Sequence, residues 1–175
     1  MGYLPLFHMI ETDRLYLRPL VSSDTEALVS ILCDGETMRF YPAPFTYQQV
    51  ERWINKGLWA VILKENNAFI GDCGISMQDI EGVLMPELGY HINKQYWGKG
   101  YATEAAKAFI SYAFQVLHYP LIVSYMKYDN LPSRRVAEKN GFVYVRSFEK
   151  IVMGERVKEV LYQMQNPIMP ETRAE

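Results

Sequence analysis

Between Arg14 and Leu20 apolar and polar side chains alternate, with Leu15 and Leu17 on one face and Tyr16 and Arg18 on the other. This period of two predicts a strand, ended by Pro19. From Ser22 the period lengthens. Ala27, Leu28, Ile31 and Leu32 form a helical stripe, with Ser22 or Ser23 as N-cap and Asp24 and Glu26 in the first turn. "YPAPF" (41–45) reads as a rigid aromatic loop, after which Thr46 caps a second helix that Gly57 stops. Alternation then returns. Residues 58–64 and 68–77 flank "ENN" as a hairpin, and 83–92 adds a third strand to the meander. A long helix follows to about Leu117, with Ala102, Ala105, Ala106, Phe109, Ala113 and Val116 on its apolar face. Residues 121–126 form a buried strand. A short helix is capped by Asn130 and stopped at Asn140–Gly141, and two strands, about 142–151 and 156–165, close the chain.

The order is thus β α α β β β α β α β β. The strand–helix–strand crossover from 83–92 to 121–126 implies a locally parallel pair in an otherwise antiparallel arrangement, an α+β fold with a mixed sheet and flanking helices. At 175 residues the chain fits one domain, 1–175, with a core at about 11–165 and a loose tail at 166–175. A formal net charge of -2 gives no case for nucleic acid or an anionic membrane as partner. "MGYLPLFHMI" lacks a basic start and is interrupted by Pro5, so no signal peptide is expected. No stretch has the length of a membrane span. Cys33 and Cys73 lie in apolar contexts without metal-ligand spacing, and read as free thiols of a cytoplasmic protein.

"QYWGKGYATEAA" (95–106) sets two glycines around Lys99 at the start of the long helix. A helix N-terminus offers unpaired N–H groups and partial positive charge, and glycines let a phosphate approach them. An ordinary glycine turn has the same appearance.

"QYWGKGYA" matches the Q/R-x-x-G-x-G/A signature of the general N-acetyltransferase (GNAT) superfamily, and the chain resembles that family from about Glu11 to Met164. "ETDRLYLRPL", "ELGYHI" and "NLPSRRVAEKNGF" resemble its Rim-type branch, the N-terminal acetyltransferases of ribosomal proteins. The resemblance implies an acyl-CoA N-acyltransferase fold: a mostly antiparallel sheet with a splayed parallel pair. It implies acetyl-CoA as cosubstrate and no metal. The pyrophosphate would lie on the turn of Gln95, Trp97, Gly98, Lys99, Gly100, Tyr101 and Ala102. The pantetheine arm would pair with the strand at Gly89, Tyr90, His91 and Ile92, a form of strand addition. Asn130 and Ser133 would face the pantetheine or the thioester. The acceptor implied is a protein N-terminal α-amine. A small amine (polyamine, amino acid or antibiotic) and a non-catalytic CoA-binding module remain as alternatives, and the chain is expected to be a monomer or homodimer.

Many superfamily members place a tyrosine acid seven positions after the asparagine. Here Ala137 stands there, leaving Ser133, and behind it Tyr128, as the proton donor to the departing thiolate. Glu87 reads as an exposed edge carboxylate or as the general base that frees the amine, a modest task for an α-amine of pKa about 8. His91 shares a strand face with Gly89 and reads as a satisfied strand histidine or a proton relay. His8 and His118 read as structural. Acceptor recognition is expected from "RFYPAPFTY" (39–47) and the turn at 153–155. Asp72, Asp79, Glu81 and Glu87 read as an acidic cluster complementary to an amine.

Overall fold

The computed structural model describes residues 9–168. One sheet of eight strands runs through the protein: β1 (Ile10–Glu11), β2 (Leu15–Pro19), β3 (Trp59–Leu63), β4 (Ala68–Ile80), β5 (Val83–Ile92), β6 (Leu121–Lys127), β7 (Val143–Val152) and β8 (Glu155–Gln165), in the order β1-β2-β3-β4-β5-β6-β8-β7. Every neighbouring pair is antiparallel except β5 and β6, which are parallel and meet at the single residue pair Glu87–Val123.

Among the described residues four α-helices cover the sheet: α1 (Thr25–Leu32), α2 (Tyr47–Trp53), α3 (Tyr101–Gln115) and α4 (Leu131–Lys139). Helix α3 buries Ala105, Ala106, Phe109, Ala113 and Phe114 against Leu15, Leu17, Val61, Ile70 and Ile122. Phe109 meets Trp59 edge to face at 5.5 Å. Helices α1 and α2 form a second core with Met38 and Phe69. Phe69 and Ile70 are adjacent in β4, so these two cores lie on opposite faces of the sheet. Alternation in β6 separates a third cluster in the same way. Ile122 and Met126 face α3, whereas Val123 packs with Ile80, Phe148 and Leu161.

The elements fall where the periodicity places them, except that β1 was not expected and that α1 has Asp24 as N-cap, after a short 3-10 turn at Ser22–Asp24, rather than Ser22 or Ser23. Helix α2 begins with a reciprocal capping box: Gln49 N–H donates to Thr46 Oγ1, and Thr46 N–H to Gln49 Oε1. Strand β4 runs three residues beyond the expected Met77, to a two-residue turn in which Glu81 and Gly82 both have positive φ. This turn chemistry suits the twist of a tight hairpin. Helix α3 stops at Gln115, so Val116 is a C-cap, 47% exposed, and not part of the apolar face.

The tail is not loose at its expected start. Asn166 is 4% exposed; its side chain donates to the carbonyls of Phe114 and Tyr119, and its N–H to Pro120. Residues 169–175, His8 and the apolar start of the chain lie outside the described residues. Among the described residues, no helix is long and apolar enough to cross a membrane, and no group of three His, Cys, Asp or Glu is placed to hold a metal ion.

Candidate active site

The sheet opens where β5 and β6 part. Beyond Glu87–Val123 the two strands share no ladder, and Ser124 Oγ donates across the start of the gap to the Leu88 carbonyl at 3.2 Å. On the same edge the Ile92 carbonyl accepts from Trp97 Nε1 at 2.6 Å. Backbone direction alternates along a strand, so the Tyr90 N–H and C=O point into the gap between them. His91 faces the other way and donates its N–H to Asp72 Oδ1 at 3.1 Å. Along Gly89–Ile92 only alternate residues face the gap. The Ile92 carbonyl and the His91 N–H are already used, and Tyr90 carries the free backbone groups. A cavity of about 740 Å³ occupies the gap, walled by β5, the 37–45 loop, the glycine turn, β6, the start of α4 and the β7–β8 ribbon.

The glycine turn is shaped by two left-handed residues, Gly98 at φ 74° and Gly100 at φ 82°. L-residues with a Cβ rarely adopt this conformation, so the turn demands glycine for its own geometry. Gly100 is the N-cap of α3, and no side chain caps that helix start. The first-turn N–H groups stay available for an anion. The turn is tied down from the β1–β2 connection. Arg14 Nη1 donates to the Lys99 carbonyl at 2.9 Å and Nε to Glu104 Oε2 at 2.7 Å, while Thr12 Oγ1 donates to Glu104 Oε1 at 2.6 Å. The Arg14 guanidinium also lies 4.5 Å from the centre of the Tyr101 ring.

Glu87 projects into the cavity beside Gly89, Tyr90, Tyr125 and Lys150. Burial pushes its carboxyl up to about 8, with the Lys150 ammonium pulling the other way. Near neutral pH such a group exchanges a proton readily, as a general base requires. Four residues along the same strand face, His91 is 6% exposed and bonded at both ring nitrogens: Nδ1 to Asp72 Oδ1 and Nε2 to the Tyr41 hydroxyl, each at 2.7 Å. Trp53 Nε1 donates to Asp72 Oδ2 at 2.6 Å.

Residues 14–143 match the family model of the acetyltransferase (GNAT) domain. The chain belongs to the GNAT acetyltransferases. It is 30% identical over 150 residues to the uncharacterized N-acetyltransferase YnaD of Bacillus subtilis, which covers 82% of this chain and 87% of that protein. A GNAT-family acetyltransferase from Bacillus anthracis superposes with a TM-score of 0.79 at 30% identity, over 90% of this chain and 98% of that one. RimL, the ribosomal L7/L12 α-N-protein acetyltransferase, in complex with coenzyme A superposes with a TM-score of 0.75 over 90% of this chain and 98% of that one. At 15% identity the likeness to RimL shows the fold alone. This GNAT protein is thus an acetyl-CoA-dependent N-acetyltransferase of α+β fold.

The expected site residues divide into three groups. Glu87, Tyr90, His91, Ile92, Trp97, Gly98, Gly100, Tyr101, Ala102, Asn130 and Ser133 come together around the cavity. Gln95 and Lys99 do not reach its wall. Gln95 is exposed, and Lys99 Nζ lies 5.5 Å from the Tyr96 ring centre. Asn130 caps α4, with Oδ1 accepting from the Ser133 N–H at 3.2 Å, and the Tyr90 hydroxyl donates to the Ser133 carbonyl at 3.1 Å. Ala137 is buried in the main core, and Tyr128 lies off the cavity with its ring under Lys158.

The acidic cluster is not formed. Asp72 is buried against His91, Asp79 accepts the Gly82 N–H in the hairpin turn, Glu81 pairs with Arg146, and Glu87 alone of the four reaches the cavity. Of the two stretches expected to recognise the acceptor, the 39–47 loop supplies Arg39, Phe40, Tyr41, Pro42 and Phe45 to the wall. Near the 153–155 turn, Val152 does so. Sequence reasoning missed the role of Arg14 and the Tyr41–His91–Asp72–Trp53 chain. It also missed Lys150 beside Glu159, where Nζ meets Oε1 at 3.2 Å. The aromatic loop was legible as a loop. Its contact with a strand histidine fifty positions away carries no local signal.

Proposed function

We propose that this N-acetyltransferase acetylates a protein N-terminal α-amine, by direct attack of the amine on the thioester with Glu87 as proton acceptor. The observation that carries the reading is the position of Glu87: a carboxyl group poised to exchange a proton, on the cavity wall where the parallel pair ends. The fold shared with RimL supports the choice of acceptor class.

The residues present fit acetyl-CoA. Uncapped N–H groups at the start of α3, beside two left-handed glycines, suit a pyrophosphate. The free backbone edge at Tyr90 suits the amides of a pantetheine arm. When bound, the cosubstrate supplies an activated acetyl thioester. The protein's own residues do the rest. Glu87 takes a proton from the incoming ammonium, directly or through water, and the freed lone pair attacks the carbonyl carbon. As the C–S bond breaks, Ser133, which lines the cavity, passes its hydroxyl proton to the departing thiolate and takes the second proton shed by the attacking nitrogen, leaving the amide and the free thiol. The reaction stays within one complex and needs no covalent enzyme intermediate. Cys73 is fully buried, and burial raises its thiol well above the usual range, so it is no nucleophile.

Release of the coenzyme A thiol, followed with free-N-terminus peptides and a panel of small amines, tests this. Preferred turnover of peptides supports the proposal. Preferred turnover of polyamines, amino acids or aminoglycosides assigns a small-molecule acceptor. No thiol release with any amine, together with tight acetyl-CoA binding, makes the protein a cofactor-binding module.

A further inference from the structure

Asp72, His91 and Tyr41 form a chain whose hydrogen-bond polarity can be worked out from its buried end. Two groups that touch Asp72 are donors by constitution: the Trp53 indole N–H on Oδ2 at 2.6 Å and the His91 backbone N–H on Oδ1 at 3.1 Å. Both carboxylate oxygens are therefore acceptors, and the 2.7 Å contact to the imidazole places a proton on His91 Nδ1. In the neutral ring Nε2 is then bare. The 2.7 Å contact between Nε2 and the Tyr41 oxygen must use the phenolic proton. Once Tyr41 has given its hydrogen inward, its oxygen has only lone pairs left for the cavity, which it lines together with Glu87, Tyr90 and Tyr125. The rings of Tyr41 and Trp53 flank the imidazole at 5.2 and 5.7 Å between centres and hold its plane.

We propose that the Asp72–His91 pair fixes the Tyr41 hydroxyl as a hydrogen-bond acceptor, and that Tyr41 and Glu87 together form the subsite for the N–H groups of the acceptor amine. This rests on the acceptor being an amine, and adds the residues that recognise it. A primary ammonium has three N–H donors. Glu87 takes one, the fixed Tyr41 oxygen takes a second, and the two contacts aim the nitrogen within the cavity. Asp72, His91 and Trp53 act through Tyr41, as positioning residues.

The test reads binding and tautomer without turnover, so it is independent of whether acetyl transfer to any given amine is found. Nitrogen-15 NMR of the imidazoles in the wild-type protein is expected to show His91 protonated at Nδ1 and bare at Nε2. Butylammonium is expected to give saturable shifts at Tyr41, with Kd raised roughly fivefold by Tyr41→Phe, the loss of one hydrogen bond of about 1 kcal/mol. Butyltrimethylammonium has the same chain and charge but no N–H donor, and its Kd is expected to be indifferent to Tyr41→Phe. A proton on Nε2, equal sensitivity of the two cations to Tyr41→Phe, or no saturable shift with butylammonium overturns the proposal.

Discussion

Arg14, in the bend just before the second strand, holds the backbone carbonyl of Lys99 at 2.9 Å, between the two left-handed glycines. The bond joins residues 85 positions apart and fixes the turn before any ligand arrives. The Arg14 side chain is 45% exposed, so its ion pair with Glu104 adds little to global stability. Arg14→Ala is expected to leave the melting temperature nearly unchanged and to weaken acetyl-CoA about three- to thirtyfold, through lost order in the turn. Calorimetry on the folded variant checks this. Unchanged affinity would show that the turn keeps its shape without the tether.

Gly100 tests the turn from within. A Cβ built there meets Arg14 Nη2 at 3.5 Å, an ordinary contact, so space is not the obstacle. The obstacle is φ of 82°, which costs an L-residue about 1–2 kcal/mol and a β-branched one more. Gly100→Val should therefore weaken acetyl-CoA strongly, whereas Gly100→Asn, which tolerates the left-handed region, should weaken it far less. Equal affinities for the two variants would shift the explanation from backbone conformation to side-chain bulk.

Glu87 should also leave a signature in stability. Its folded-state pKa, about 8, stands above the ordinary 4.5, so the folded protein holds this proton more tightly than the unfolded chain. The stabilisation from that proton is complete below about pH 4.5 and is lost as pH rises through 8. Glu87→Gln has no such titration. Its melting temperature should match wild type near pH 4.5 and exceed it above pH 8, by roughly 1–4 kcal/mol of stability after discounting for cavity water. Parallel melting curves across this range would refute the raised pKa.

How much of this was legible in the sequence depends on the distance over which each feature is encoded. The strands from β2 onward, the helices and the caps at Thr46 and Asn130 are local, written in periods of two and 3.6 and in capping residues, and they stand close to where expected, whereas the two-residue β1 is too short to carry a period. The glycine turn was legible as a motif, but not its tether, because nothing near Lys99 announces Arg14. Asp72 illustrates the same limit. Counted along the chain it is one acid among four, and only the register that sets it opposite His91 turns it into a buried partner. Asn166 was read as the first residue of a tail for a related reason. A polar residue before a proline looks like the start of a tail until the carbonyls of Phe114, at the end of α3, and Tyr119, in the loop after it, claim its side chain.

The mechanism turns on whether Glu87 takes a proton or merely attracts a cation. Glu87→Gln keeps the shape and removes the base. If Glu87 receives the ammonium proton, turnover should fall roughly ten- to a thousandfold at neutral pH, the span of a general base or just below it. The pH dependence carries the sign. Below about pH 8 the wild-type rate rises as the carboxyl ionises, and the variant rate rises as the amine loses its proton unaided, so the ratio between them stays nearly constant. Above that pH a peptide α-amine of pKa near 8 arrives neutral, and the ratio should narrow. Acetyl-CoA affinity should hardly move, since the contacts proposed for it are backbone groups at Tyr90 and at the uncapped start of α3 rather than the Glu87 carboxylate. Steady-state rates with a peptide acceptor from pH 6 to 10 make the comparison. A variant that matches wild type at every pH would remove Glu87 from proton transfer. A variant with intact maximal rate and a raised KM for the amine alone would make it an anchor for the ammonium, because only uniform binding had then been lost.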